Sequence, residues 1–326
     1  MNMSVFGRKP FARLLLGLSA FAALAASTLC TAEDKYPSRP IEFIVPWGPG
    51  GGADQLARKV GKMMEDSLKT SIPVVNAPGA TGSSGMTKML VGEADGYSMS
   101  VFIADTHALL ATSNPKWKPE DYKPLAIMLR QPSALFVPTN SHFKTWADFE
   151  KEARANPGKL KVAVLGLGSI DDMTLRYLGS KGVKASAIPF ANPGERYLSI
   201  LGGHADALYE QAGDVKQMLD NKQIRPLIFF SAERLAEYPD VPTAKELGYD
   251  VMLPQFRSII VKAGTPPERV KVLADALAQA AGATEYKAFL KDSYADPASY
   301  LGPGDADKFL QGELAAMRRL LATIGK

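Results

Sequence analysis

Short apolar segments that end in glycine-rich turns recur along this chain, and each turn leads into a segment with helical spacing. Residues 41–46 form the first apolar segment and run into the turn 47–52, after which residues 53–68 place Leu, Val and Met side chains on one helical face. Residues 73–76 and the turn 77–82 repeat the arrangement. Strands joined through helices in this way predict a parallel-rich α/β sheet.

The same pattern restarts near residue 133. Predicted strands cover residues 133–137, 160–164, 185–190, 205–209 and 225–230, and helical spacing appears between most of them. A last apolar strand, residues 258–261, is followed by two predicted helices, 267–282 and 305–324.

This order predicts two α/β lobes with separate cores, for which 326 residues suffice. The first lobe would contain residues 33–137 and 255–326, and the second lobe residues 138–254. The chain would cross between the lobes near Val137–Pro138 and again near Pro254. Two crossings allow the lobes to close on a ligand like jaws.

The N-terminal segment differs in kind from the rest. Its basic residues, Arg8, Lys9 and Arg13, precede an apolar run over residues 14–26, and small residues follow. The run is shorter than the ~20 residues of a membrane-spanning helix, so the pattern favours a signal peptide over an anchor. We predict export to the periplasm and cleavage of residues 1–32 after Ala32.

Cys30 is the only cysteine in the chain, and in a lipoprotein it would carry the lipid. The residue before it is Leu29, where a small residue is expected, so the sequence favours simple cleavage at Ala32. Cleavage there would leave a mature chain without disulfides. The stability of that chain would depend on its hydrophobic cores.

Charge and motifs exclude several classes of function. The net charge of +4 falls to +1 without the three basic residues of the signal segment, and no dense Lys/Arg stripe follows, which argues against nucleic-acid binding. Serine-hydrolase elbows and phosphate-binding loops are absent from the sequence. The three histidines, His107, His142 and His204, lack metal-ligand spacing. We therefore expect neither catalysis nor a metal or cofactor.

The glycine-rich turns are the best candidate for a site, because ligands of open α/β sheets bind beyond the carboxyl ends of the strands. Backbone N–H groups at such turns and at helix N-termini suit a carboxylate. One glycine turn alone could be merely a tight turn, but several across two lobes favour a ligand site. The candidates in the first lobe are Trp47, Gly48, Gly50, Gly51, Gly52, Asp54, Pro78, Gly79, Ala80, Thr81, Gly82, Asp105, Thr106 and His107.

Two of these candidates carry titratable side chains with more than one interpretation. Asp54 is interpreted as a helix cap or hydrogen-bond acceptor rather than a catalytic base, because a bare carboxylate would repel an anionic ligand. His107 is the one histidine at a predicted strand end that would face the cleft.

Several motifs, taken in order, resemble the substrate-binding proteins of tripartite tricarboxylate transporters, also called Bug receptors. The matching segments are residues 36–41, 45–54, 76–82, 94–97, 201–206, 239–243, 246–248 and 264–266. The likeness spans essentially the whole predicted mature chain, which makes it more specific than any single motif.

The resemblance implies a periplasmic receptor with a type II-like, two-lobed binding-protein fold, in which helices flank both sheets and the ligand lies in the cleft between the lobes. The loops 47–54 and 78–82 would grip one carboxylate of the ligand, partly through ordered waters. Contacts from the second lobe would fall near Gly168, Ser169, Asp171 and Phe190. The receptor would be a monomer and would deliver its ligand to a permease of one large and one small membrane subunit.

The sequence leaves two kinds of carboxylate possible, which differ in the chemistry of the far end of the ligand. Residues 168–173 and 256–258 resemble the tricarboxylate branch, in which Arg257 would pair with a distal carboxylate of a ligand such as citrate. Glu210 would disfavour a second ligand anion unless it points away. The alternative ligand is an aromatic carboxylate such as terephthalate. It would bind in an aromatic pocket formed by Phe102, Phe190, Tyr209 and Phe256.

Some segments depart from the family pattern. Residues 192–195 stand where relatives often carry a glycine-rich stretch, and Phe256 and Ser258 replace a common Trp and Gly. Two other classes of function stay open at this point: a ligand-sensing lobe for a signalling partner, and an exported hydrolase.

Overall fold

The computed structural model describes residues 1–3 and 35–324, so the predicted cleavage site at Ala32 and nearly all of the predicted signal peptide lie outside the described residues. The elements below belong to the unit Arg39–Lys326. No helix in the described part is both long and apolar enough to cross a membrane.

The described part contains ten strands, ten α-helices and two short 3-10 helices, Ala80–Gly82 and Pro119–Asp121. The strands are β1 (Glu42–Val45), β2 (Val74–Asn76), β3 (Ser98–Ile103), β4 (Tyr122–Gln131), β5 (Ser133–Pro138), β6 (Lys161–Val164), β7 (Ser186–Pro189), β8 (Ala207–Gln211), β9 (Ile224–Phe229) and β10 (Gln255–Lys262). The helices are α1 (Gly52–Leu68), α2 (Ser83–Val91), α3 (Ala104–Thr112), α4 (Trp146–Ala155), α5 (Ile170–Ser180), α6 (Pro193–Leu201), α7 (Lys216–Asp220), α8 (Pro267–Gly282), α9 (Thr284–Asp292) and α10 (Pro303–Ile324).

The strands form two five-stranded sheets, in the orders β2-β1-β3-β10-β4 and β7-β6-β8-β5-β9. In each sheet one half pairs in parallel and the other half antiparallel. The reversed strands are β10 and β5, and each is the first strand after the chain has entered that sheet from the other lobe. The predicted two-lobed α/β fold is confirmed, with mixed sheets.

Alternating side chains bury both faces of the second sheet. Leu135 and Phe136 are neighbours in β5 but belong to two different apolar clusters, because successive strand residues point to opposite faces. In the first lobe, α1 buries Leu56, Val60 and Met64 along one face, as its spacing predicts.

The first crossing between the lobes lies earlier than predicted. β4 ends at Gln131 and β5 begins at Ser133, yet the two strands belong to different sheets. The chain therefore crosses at Pro132, and not near Val137–Pro138, where the sequence placed the crossing. Both strands are almost wholly buried and only Pro132 separates them, so the sequence does not distinguish a change of sheet from a simple turn. The return crossing leads into β10, which begins at Gln255.

Two helices of the first lobe, α3 and α9, were not predicted, and α10 contacts both lobes where one was predicted. Residues 104–107, predicted as a turn, begin α3, and α9 follows α8 almost without a break. The last helix, α10, was assigned to the first lobe, but Leu320 packs against the cores of both lobes and Ile324 against that of the second. This helix therefore bridges the two lobes.

Candidate functional site

A narrow cavity lies where the two lobes meet, and its wall comes from both. The first lobe supplies Trp47, Gly51, Gly52, Ala53, Ile103, Gln255 and Arg257, and the second lobe supplies Leu165, Pro193, Arg196, Glu210, Gln211 and Asp214. Its volume is about 20 Å³, which is enough for one water molecule. Side chains of the two lobes fill the rest of the space, so a larger ligand requires the lobes to part.

The first predicted glycine turn lies on this cavity. Gly51 is the N-cap residue of α1, and no side chain caps the helix there. A Cβ atom on Gly51 would lie 2.7 Å from Cγ of Pro193, and one on Gly52 would collide with Arg257 and Asp214. Glycine at these two positions therefore lets the second lobe close directly onto the start of α1.

Asp54 lies beneath the same turn and holds it in place. Its carboxylate accepts hydrogen bonds from the Gly50 N–H at 3.0 Å, from the Asn76 amide at 3.0 Å, and from the Arg58 guanidinium. Burial by itself would raise the pKa of Asp54, but these donors together lower it below its ordinary value. The carboxylate therefore stays ionised as an acceptor within the loop, and its charge is satisfied there.

The second predicted turn contacts the other lobe instead of lining the cavity. Gly79 and Gly82 have φ values of 133° and 88°, which favour glycine. Between them Thr81 donates its hydroxyl to the Leu167 carbonyl at 3.2 Å, across the cleft. Pro78 and Ala80 belong to the same turn and are likewise not part of the cavity wall.

Helix caps differ between the two sides of the cleft. In the first lobe, α1, α2 and α3 begin without a side-chain cap. In the second lobe, Ser169 caps α5 and Asn192 caps α6 with their own side chains. The Ala104 N–H at the start of α3 donates to the Gln255 side chain at 3.1 Å. The free N–H groups and positive helix end that line the cavity are therefore those of α1.

Two buried ion pairs contribute side chains to the cavity wall. Arg257 of β10 pairs across the cleft with Asp214, and Arg196 of α6 pairs with Glu210 within the second lobe. Burial raises the pKa of Asp214 even though Arg257 acts to lower it. Arg257 was predicted to meet a distal ligand carboxylate, and in this structure its partner is Asp214.

Asp105 and Asp171 meet at the inner wall of the cleft. Each lies in the first turn of a helix, Asp105 in α3 and Asp171 in α5, and both are buried. The two helices pack against each other, and each carboxyl group alters the pKa of the other. Both were predicted site residues, but their contact across the lobes was not foreseen. The neighbouring Thr106 is buried beside Gly82.

Two predicted cleft residues lie in the cores instead. His107 packs edge-on against Phe102 and Phe256 and bonds through Nε2 to the Leu310 carbonyl at 2.9 Å. Burial lowers its pKa to about 4, so the ring is neutral at pH 7. Tyr209 stacks on Phe230 in the second core, and its hydroxyl contacts Thr174.

The predicted aromatic pocket is therefore wrong. Phe102 and Phe256 are core residues of the first lobe, and Phe190 packs half-buried on a cluster of the second. Trp47 is the one aromatic side chain in the described cavity wall.

The remaining second-lobe candidates shape the cleft edge. The Gly168 carbonyl accepts a hydrogen bond from the Thr112 hydroxyl of the first lobe at 2.8 Å. Ser169 caps α5, as noted above, and Gly48 lies close to Pro193. The cavity residues Arg196, Asp214 and Gln255 were missed altogether. No local motif marks them, because tertiary packing alone brings them to the cavity.

Two sheeted lobes with a cleft at the ends of their strands are the fold of periplasmic binding proteins, and solved structures share this fold. The chain aligns with MatC from Rhodopseudomonas palustris, solved with bound malate, at a TM-score of 0.80 and 23% identity over 87% of this chain and 99% of that one. It aligns with a second Rhodopseudomonas palustris protein, solved with adipate, at a TM-score of 0.83 and 24% identity over 89% and 98%. The periplasmic binding protein BugD aligns at 0.82 and 22% identity, over 89% and 99%.

The sequence identifies the family. The model of the tripartite tricarboxylate transporter family receptor matches residues 56–326. Protein BugT from Bordetella pertussis is 30% identical over 270 residues, which cover 80% of this chain and 82% of BugT. The chain therefore belongs to the receptors of the tripartite tricarboxylate transporter family.

Proposed function

We propose that this chain is an exported receptor that binds a small organic carboxylate reversibly between its lobes and passes it to a membrane permease. The observation that carries the proposal is the uncapped start of α1, where the backbone of Gly51, Gly52 and Ala53 lines the cleft. Unpaired N–H groups at a helix N-terminus bind carboxylates without a buried lysine. The ligand carboxylate would lie there, on the first-lobe side.

Relatives support the rest of this proposal. The malate and adipate in two structural neighbours are both carboxylates. Export agrees with the signal-peptide pattern of residues 1–32 and with the periplasmic relative BugD. A permease of one large and one small subunit follows from the family resemblance. Release of the ligand unchanged, without turnover, agrees with the receptor description of the family.

The charges of the cleft favour a ligand with few negative groups. The guanidinium groups of Arg196 and Arg257 already pair with Glu210 and Asp214. Asp105 and Asp171 lie beyond these pairs with no cation of their own to pair with among the described residues. A second or third ligand carboxylate would add to this excess of negative charge, so we infer a carboxylate whose far end is neutral, in preference to citrate.

A matched ligand series tests the proposal. Purified receptor would be titrated by calorimetry with adipate, monomethyl adipate, malate, citrate and terephthalate, and each ligand would be recovered and checked for change. One charge repelled over ~8 Å at an effective dielectric of about 20 is worth about 2 kcal/mol, so monomethyl adipate should bind about 30-fold more tightly than adipate. A bound carboxylate at 100 times its Kd should stabilise the fold by about 2.7 kcal/mol.

The outcomes separate the two parts of the proposal. Tighter binding of adipate than of its monoester would reject the charge argument and leave the receptor role intact. No stabilisation by any carboxylate would reject the receptor role. Recovery of a hydrolysed ligand would favour an enzyme.

A further inference from the structure

Two carboxyl groups from opposite lobes meet inside the cleft. Asp105 follows β3 in the first lobe, and Asp171 lies beyond β6 in the second. Their relative exposures are 0% and 2%, so both carboxyl groups are shielded from bulk water. The helices that carry them, α3 and α5, pack against each other, and each carboxyl group alters the pKa of the other.

Each carboxyl group has one other partner, and these partners fix its orientation. The Gln255 amide donates to Oδ2 of Asp105 at 2.6 Å, and the Leu165 N–H donates to Oδ2 of Asp171 at 2.8 Å. Oδ1 of Asp105 is buried and has no hydrogen-bond donor among the described residues. Two ionised carboxylates in contact repel each other, whereas a proton between them supplies the missing donor.

The surrounding charges do not remove the need for that proton. Arg196 attracts both carboxylates, but it is already paired with Glu210, whose charge opposes the attraction. The Tyr209 hydroxyl also lies near the pair and is neutral, because burial raises its pKa. Burial raises the pKa of Asp105 to about 6, and burial together with Asp105 raises that of Asp171.

We propose that Asp105 and Asp171 form a proton-binding site between the lobes, so that closing the cleft takes up one proton. In an open cleft water reaches both groups, and each ionises near its ordinary pKa of about 4. Closure then becomes less favourable by about tenfold for each pH unit between this ordinary pKa and the raised pKa of the closed pair, and does not change with pH above it. The pair itself does not depend on the identity of the ligand. Its coupling to ligand binding rests on the proposed function.

A crosslink can hold the cleft closed and test the pair without a ligand. A Cβ atom on Gly51 lies 3.3 Å from Cβ of Pro193 in the other lobe, close to the ~3.5–4.5 Å found in disulfides. The Gly51→Cys/Pro193→Cys variant would be made in the full-length receptor and purified after export. Failure of the two cysteines to form a disulfide would contradict the closed geometry on which the proton site depends.

The carboxyl groups of the crosslinked receptor would be titrated by ¹³C NMR with labelled aspartate. We expect one aspartate to titrate above pH 5 in the oxidised protein and at a lower pH after reduction opens the cleft. Asp105→Asn should abolish this high transition, because its amide donates to Asp171 without a titrating proton. Asp172→Asn is the matched control: this neighbouring carboxylate accepts from the Gly168 N–H and should leave the transition in place. Titration of both Asp105 and Asp171 below pH 4.5 in the oxidised protein would overturn the proposal.

Calorimetry in two buffers of different ionisation enthalpy would measure the coupling, with monomethyl adipate as the probe. Binding near pH 5 should take up close to one proton, weaken several-fold per pH unit up to about pH 6, and become independent of pH above that. Asp105→Asn should remove both effects. Binding without proton uptake would overturn the coupling. Absence of binding would count against the proposed ligand, and the crosslinked titration would still decide the proton site.

Discussion

Arg257 of the first lobe and Asp214 of the second form an ion pair across the cleft, with side-chain exposures of only 3% and 6%. Gly52 makes the pair possible, because any side chain at that position would occupy the space of both groups. Three parts of the site therefore meet at this pair: the glycine turn, the arginine of β10 and the second-lobe wall of the cavity. It adds a side-chain link to the chain crossings and to α10, which also join the lobes.

Removing either partner should be more harmful than removing both. Arg257→Gln or Asp214→Asn leaves a buried charge without its counter-ion, which typically costs about 3–5 kcal/mol. The double variant should lose much less than the sum of the single losses. Denaturant unfolding of the four proteins measures this coupling free energy. The exposed pair Lys271 and Asp275 provides a control cycle, for which a coupling below about 1 kcal/mol is expected. Additive losses at Arg257 and Asp214 would show that the lobes are not joined by this pair.

The sequence predicted the lobes and the first-lobe turns because both leave local signals. Glycines after a strand and before a helix mark Gly51 and Gly52 directly. The chain crossing at Pro132 leaves no such signal, because β4 and β5 are equally apolar. The role of Arg196 and Asp214 depends on which residues of the other lobe they meet, and no spacing within one segment encodes that.

Periodicity explains the residues that were assigned to the wrong face. Residues 104–107 were treated as a turn, but they begin α3, in which successive residues are rotated by about 100°. Asp105 and His107 therefore lie on opposite faces, and when Asp105 points to the cleft His107 points to the core. In β8 the alternation of side chains similarly places Glu210 at the cavity and Tyr209 in the core.

His107 should matter for stability and not for ligand binding. His107→Phe keeps the aromatic contacts with Phe102 and Phe256 but leaves the Leu310 carbonyl without its donor, at a cost of about 1–3 kcal/mol. Unfolding measurements should show this loss, while the affinity for the best carboxylate of the panel stays within about twofold of the parent. A large loss of affinity at unchanged stability would place His107 back in the site.

Glu313 on α10 should make stability depend on pH. Burial raises its pKa to about 7, although Arg130 and Arg319 lower it. Because this folded-state pKa lies above the ordinary value of about 4.5, stability is fully present below pH 4.5 and falls as the pH rises through 7. Glu313→Gln cannot ionise, so it should be more stable than the parent at pH 8, by at most about 3 kcal/mol, and similar at pH 4.5. The exposed Glu285→Gln variant is the control and should keep the pH profile of the parent. An equal effect of Glu313→Gln at both pH values would contradict the assignment.

Gly51 should control closure of the cleft with little effect on folding. Its φ of −78° is open to any residue, so alanine introduces no backbone strain, but the new methyl group would press on Pro193 at 2.7 Å. Gly51→Ala should therefore hinder the approach of the second lobe and weaken carboxylate binding by about tenfold or more, which corresponds to about 1.4 kcal/mol. Gly312→Ala is the matched control: its Cβ meets nothing within 4 Å on the exposed face of α10, and removing a helical glycine should stabilise the protein by about 0.5–1 kcal/mol with unchanged affinity. Calorimetric titration and denaturant unfolding of both variants would separate the two effects. Unchanged affinity in Gly51→Ala would mean that ligand binding does not bring the start of α1 against the second lobe.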